Sequence, residues 1–98
     1  MQEIHLNASD WSTKEDFYTD LLPQLGAPAW HGHNLDALMD GISGDINTLE
    51  PPYTVYVSGV GRLSLEMRRF LASVELVFED ARTDRGTPVN ITFDQALR

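Results

Sequence analysis

Two aspartates, Asp36 and Asp40, stand four residues apart in the segment Asn34-Leu35-Asp36-Ala37-Leu38-Met39-Asp40, just after Trp30, His31 and His33. Three kinds of chemistry are open to such a group. Paired carboxylates can act as acid and base, as in glycosidases. Two histidines two apart, with Asp36 as a third ligand, can chelate a metal. Carboxylates beside an aromatic can form an acidic hot spot for a basic partner. Catalysis is disfavoured, because two acids one helical turn apart on a convex surface lack the cleft that would separate their pKa values. Metal binding is disfavoured because no well-spaced third and fourth ligand accompanies His31 and His33, and His5 is remote in sequence. Alone, two such acids are an ordinary solvated helix face. Set beside Trp30 and Gly32, they favour the hot spot.

The local sequence explains how these groups would be held. Pro28, Trp30 and Gly32 read as a loop. Asn34 is an N-cap, its side-chain oxygen able to accept a backbone N–H left free in the first turn. Leu35, Leu38, Met39 and Ile42 then make one apolar helical face, with Met39 at the edge of the core. Asp36 and Asp40 share an adjacent face, and Gly44 is a C-terminal stop. Asp36 sits where the helix dipole favours negative charge; Asp40, one turn on, gains little. The like-charged pair costs an isolated helix roughly 0.2–0.5 kcal/mol, and a short helix containing Gly41 has little stability to spare. Trp30, next to Gly32 in a loop, is expected to be a contact residue and Trp11 a packing residue. His31 and His33 are expected to face the partner, where protonation would make binding pH-dependent.

The rest of the chain supplies a frame. Gln2 to Leu6 reads as a strand with Ile4 and Leu6 inward. Ser12 and Glu15 form a capping box for a helix beginning near Thr13, carrying Phe17 and Leu21 and bent or ended at Pro23. Residues 45–52 are a connection. Tyr53 to Val57 is β-branched and aromatic and reads as a second strand. Residues 64–84 form the longest helix, with Met67, Phe70, Leu71, Val74, Val77, Phe78 and Ala81 on its core face. Val89 to Phe93 alternates as a last strand. The glycines of Ser58 to Gly61 match no phosphate-binding spacing. Helical crossovers between strands favour a parallel sheet, so the expected fold is α/β: a small three-stranded parallel sheet packed by helices, in the order β-α-α-β-α-β.

Ninety-eight residues suit one domain spanning 1–98, with a single modest core. The absence of cysteine excludes disulfides and thiolate metal sites and is compatible with the cytoplasm. The N-terminal sequence has no basic, apolar signal pattern, and no stretch approaches a membrane span. The net charge of −8 is uneven: residues 1–61 hold nine acids and one lysine, whereas residues 62–98 hold six acids and six arginines. The excess negative charge surrounds the focal helix. Such a field repels nucleic acid and speeds the approach of a basic partner.

The segment from Trp30 to Asp40 resembles the inhibitory loop and helix of barstar, the family of intracellular inhibitors of the ribonuclease barnase. That family shows an aromatic, a Gly, then Asn-Leu-Asp-Ala-Leu, an aromatic and Asp. A weaker match is Val77-Phe78-Glu79-Asp80-Ala81-Arg82, where Asp80 would replace an acidic contact residue. The resemblance implies the same element order. It also implies a function: inhibiting a basic ribonuclease, as an immunity or antitoxin protein, in a 1:1 complex, without enzymatic activity or cofactor. Asp40 would be the deep phosphate mimic and Asp36 a supporting contact. The contact set would comprise Trp30, His31, Gly32, His33, Asn34, Asp36, Met39, Asp40 and Asp80. Met39 stands in place of an aromatic, and His31 and His33 in place of a Tyr and an acid, which is how a related inhibitor would be matched to a different ribonuclease. The alternative is a module on the same fold that binds a basic protein other than a nuclease.

Overall fold

Strand β1 runs over Gln2–Asn7, β2 over Tyr53–Ser58 and β3 over Val89–Phe93. Helix α1 spans Lys14–Gln24, α2 spans Leu35–Ser43 and α3 spans Leu65–Arg85, with a short 3-10 turn at Val60–Arg62. The structure is a computed structural model and describes residues 2–44 and 47–97. Part of the expected 45–52 connection, Asp45 and Ile46, lies outside the described residues. All strand pairs are parallel, in the order β1-β2-β3. This is the expected α/β arrangement, and the order β-α-α-β-α-β is as predicted.

The register explains the single core. Ile4 aligns with Val55 and Val55 with Ile91, while Leu6 aligns with Val57, and Tyr53 with Val89. All of these are buried. On the outer strands their alternates Glu3, His5, Asn90 and Thr92 are exposed, while on β2 Thr54 is buried and Tyr56 partly buried. One sheet face therefore meets the helices and the other is polar. The buried side chains of α1 (Phe17, Tyr18, Leu21, Leu22), of α2 (Leu38, Ile42) and of α3 (Met67, Phe70, Leu71, Val74, Phe78, Ala81) complete that core.

The helix boundaries follow local chemistry. α3 starts at Ser64, whose hydroxyl accepts the Met67 N–H at 3.1 Å, and stops at Gly86, whose φ of 67° an L-residue adopts at a cost. Val77, expected in the core face, is only partly buried. The start of α1 is one residue later than predicted. Thr13 is the N-cap, and Asp16 accepts the backbone N–H groups of Ser12 at 2.7 Å and Thr13 at 3.1 Å. These bonds, that from Ser12 first, hold the Asp16 carboxyl below its ordinary pKa. The shift by one residue releases Glu15 from the capping role. Pro23 lies inside the last turn of α1, and the helix ends one residue after it.

Trp11 packs as predicted. Its ring meets Phe17 edge-on at 5.7 Å, and its indole N–H donates to Asp20 at 2.6 Å. No helix among the described residues is long and apolar enough to cross a membrane.

Candidate functional site

The site begins with the N-cap of α2. Asn34 Oδ1 accepts the Ala37 N–H at 2.8 Å, as the sequence predicts. Leu38 and Ile42 are buried, and Leu35 and Met39 are partly buried against the core. The opposite end of α2 is tied down by a chain of contacts: Arg85 donates to the Ser43 hydroxyl at 3.1 Å, and Ser43 donates to the Met39 carbonyl at 2.6 Å. Gly44 closes the helix in extended rather than left-handed backbone, its N–H donating to the Asp40 carbonyl at 2.9 Å.

With its apolar side committed to the core, α2 presents Asp36 and Asp40 to solvent. Neither carboxylate has a hydrogen-bond or ion-pair partner among the described residues. In the loop that precedes α2, Trp30 is 74% exposed, the most exposed large hydrophobic among the described residues. A tryptophan left in water adds little to folding, and its apolar area remains free to be buried by an occupant. Asp80 is exposed on α3, the helix against which α2 packs.

The two histidines part company. His31, expected to face a partner, is turned inward and only 6% exposed. Its Nδ1 donates to the Gly32 carbonyl at 2.8 Å, and Nε2 is buried without a partner among the described residues. That ring edge lies over Gly41: a Cβ at residue 41 would stand 2.5 Å from His31 Nε2 and 3.2 Å from Asn47 Nδ2. Gly41, unfavourable in a helix by propensity, is thus the residue that lets the loop close onto α2. His31 is a positioning residue beneath the loop. The correction has a simple cause: alternating loop residues face opposite sides, and sequence alone does not say which side is in.

His33 stays at the surface, half exposed, and is fixed from two directions. Its Nδ1 contacts Glu15 at 2.5 Å, and its ring stacks on Tyr18 at 5.4 Å between centroids. Burial, with a smaller effect from the Glu15 charge, pushes the Tyr18 hydroxyl up to about 12. A hollow of about 370 Å³ between α1 and the loop is lined by Tyr18, Leu22, Pro28, His31 and His33. Glu15 and Tyr18 are therefore parts of the site that the sequence reading missed. The signal was present: Thr13-x-x-Asp16 is as good an acidic cap as Ser12-x-x-Glu15, and choosing it leaves Glu15 free. Gly32 has little room, since a Cβ there would lie 3.0 Å from Asn34 Nδ2 and 3.2 Å from Ala37 Cβ.

Among the described residues, no group of three or more His, Asp or Glu converges to hold a metal ion. His31 and His33 do not come together with Asp36 in that way; one is buried against α2 and the other is held by α1. What the arrangement can do is present two unpaired carboxylates and a bare indole on a rigid backing. That suits a cationic surface. A search of curated protein sequences found no match. The family model described as Barstar (barnase inhibitor) matches residues 1–94, and the chain belongs to the barstar family.

Proposed function

We propose that this protein inhibits a basic ribonuclease by seating α2 and the Trp30 loop in the enzyme's active site. One observation carries the reading: Asp36 and Asp40 are exposed carboxylates without a partner among the described residues, on a helix braced at both ends, and the loop leading into it carries a tryptophan that is 74% exposed. A ribonuclease site holds a phosphodiester, and its developing negative charge, with cationic side chains. A carboxylate on a rigid helix takes the same charge-assisted hydrogen bonds and offers no bond to cleave. Asp40 serves as the phosphate mimic and Asp36 supports it. Trp30, Gly32, His33, Asn34, Met39 and Asp80 complete the contact surface, with His31 holding it from beneath. The barnase–barstar pair is itself one of the systems from which hot spots and electrostatic steering are known.

The complex is 1:1 and the setting cytoplasmic, with the inhibitor protecting its producer. The test is inhibition of a barnase-type ribonuclease by the purified protein, with Asp40→Ala as the control. Stoichiometric inhibition that salt weakens and the substitution removes is the expected result. Equal inhibition by the two proteins would refute the phosphate-mimic role.

A further inference from the structure

A second surface lies on α3, among residues that take no part in the site above. Leu65 and Leu76 are 52% and 58% exposed, and with Trp30 they are the exposed large hydrophobics of the described residues. With Ala72 between them, at spacings of seven and four, they form one stripe along the helix. Leu97 closes its side, making a groove of about 600 Å³ also lined by Arg68, Arg69 and Glu75.

The arginines give this stripe its meaning. Neither Arg68 nor Arg69 makes an ion pair or side-chain hydrogen bond among the described residues. Arg68 Nε is buried and has no acceptor among the described residues. A desolvated guanidinium donor without an acceptor is costly, and a carboxylate is its best-matched partner in both charge and shape. Glu75, the one carboxylate among the described residues that line the groove, pairs with neither arginine.

We infer that the exposed face of α3 is a second docking surface, which takes an acidic protein segment with an apolar face. The segment sets its carboxylates on Arg68 and Arg69 and its apolar side chains on Leu65, Ala72, Leu76 and Leu97. Glu75 fixes the direction, since like charges would meet if the segment were reversed. The arginine pair offers a basic ribonuclease no complementary charge, so the occupant is a different protein and the inference stands apart from the inhibitory reading.

The test uses the full chain and two labelled synthetic helical peptides. Both carry leucines at i, i+3, i+4 and i+7; one flanks them with Glu and the other with Gln. The overall charge of −8 disfavours the Glu peptide at long range, so its preference can come only from local pairing. By fluorescence anisotropy the Glu peptide is expected to bind about tenfold more tightly than the Gln peptide. Arg69→Glu removes the preference, Leu76→Glu weakens both peptides about tenfold, and Asp40→Ala changes neither. Both altered side chains are exposed, and circular dichroism verifies that the variants remain folded. Equal binding of the two peptides, no binding, or indifference to both substitutions overturns the proposal. So does sedimentation showing a dimer that Leu76→Glu dissolves, because the occupant is then a second copy of the chain.

Discussion

The contact between Gly41 and His31 can be tested by a substitution whose sign depends on its neighbour. On helix propensity alone, Gly41→Ala stabilises α2 by about 1 kcal/mol. The new Cβ, however, would stand 2.5 Å from His31 Nε2 and 3.3 Å from its Cδ2. Unstrained contacts begin near ~3.5 Å, so the ring must retreat by about 1 Å. The ring is 6% exposed and anchored to the Gly32 carbonyl, so even a retreat toward the hollow that it lines strains that hydrogen bond and the loop. Overpacking of this kind costs about 1–3 kcal/mol. The net effect of Gly41→Ala is then a loss of up to about 2 kcal/mol, and never the full gain. In a His31→Ala background the ring is gone and only Asn47 Nδ2 stays close, at 3.2 Å, so the same change should be neutral or stabilise by up to about 1 kcal/mol. Urea denaturation of the four proteins gives the coupling directly, expected at about 1–3 kcal/mol. Additivity within ~0.5 kcal/mol would refute the contact, and with it the reading of His31 as a support of the loop. Gly41→Ala should also weaken ribonuclease inhibition, since moving His31 moves the backbone that carries Trp30.

Other outcomes follow from the same geometry. Asp40→Ala should leave the free domain as stable or up to about 0.5 kcal/mol more stable, by relieving its repulsion with Asp36; a loss above ~2 kcal/mol in denaturation would mark it as structural. Trp30→Ala should cost less than about 0.5 kcal/mol of stability, yet weaken inhibition about thirtyfold, as expected of a contact worth some 2 kcal/mol. The Tyr53 hydroxyl is buried without a partner among the described residues, so Tyr53→Phe should be neutral or stabilising by up to about 1 kcal/mol. The folded-state pKa of Tyr18 is raised from 10.0 to about 12, so the stability linked to its neutral form is present below pH 10 and lost as pH climbs through about 12. Alkaline denaturation of Tyr18→Phe should be less steep over that window. Asp16 has the opposite sign: its lowered pKa adds stability above its ordinary value of 3.8 that disappears in stronger acid, and Asp16→Asn should flatten that limb.

The fold was legible because its signals are local and redundant. Residues 89–93 alternate, and the burial of Val89 and Ile91 against exposed Asn90 and Thr92 repeats that alternation. The long helix announced its core face through Met67, Phe70, Leu71, Val74, Phe78 and Ala81, and all of these are buried. Parallel pairing followed from helices lying between strands. The error at α1 was of one residue, and its cause is degeneracy. Two overlapping cap patterns fitted Ser12 to Asp16, and the backbone selected the one in which Asp16 takes two N–H donors.

The site was legible only where position on a helix decides exposure. Asp36 and Asp40 had to share a face once Leu35, Leu38 and Ile42 were given to the core, and they do emerge into solvent. In the loop before them no period exists, and so Trp30 and His31, adjacent in sequence, go to opposite sides. What sorts them is tertiary: a histidine can enter because residue 41 has no Cβ, and His33 can stay out because α1 offers Glu15 and Tyr18 to hold it. Gly41 looked like a weakness when α2 was considered alone, since glycine in a nine-residue helix erodes the little stability such a helix has. Against His31 it becomes a requirement. A helix that is weak by itself, and held by its cap, its core face and the Arg85 tether, can devote its outer face to two unpaired acids that would not help it fold. That division of labour is why the residues best suited to a partner are those the fold needs least.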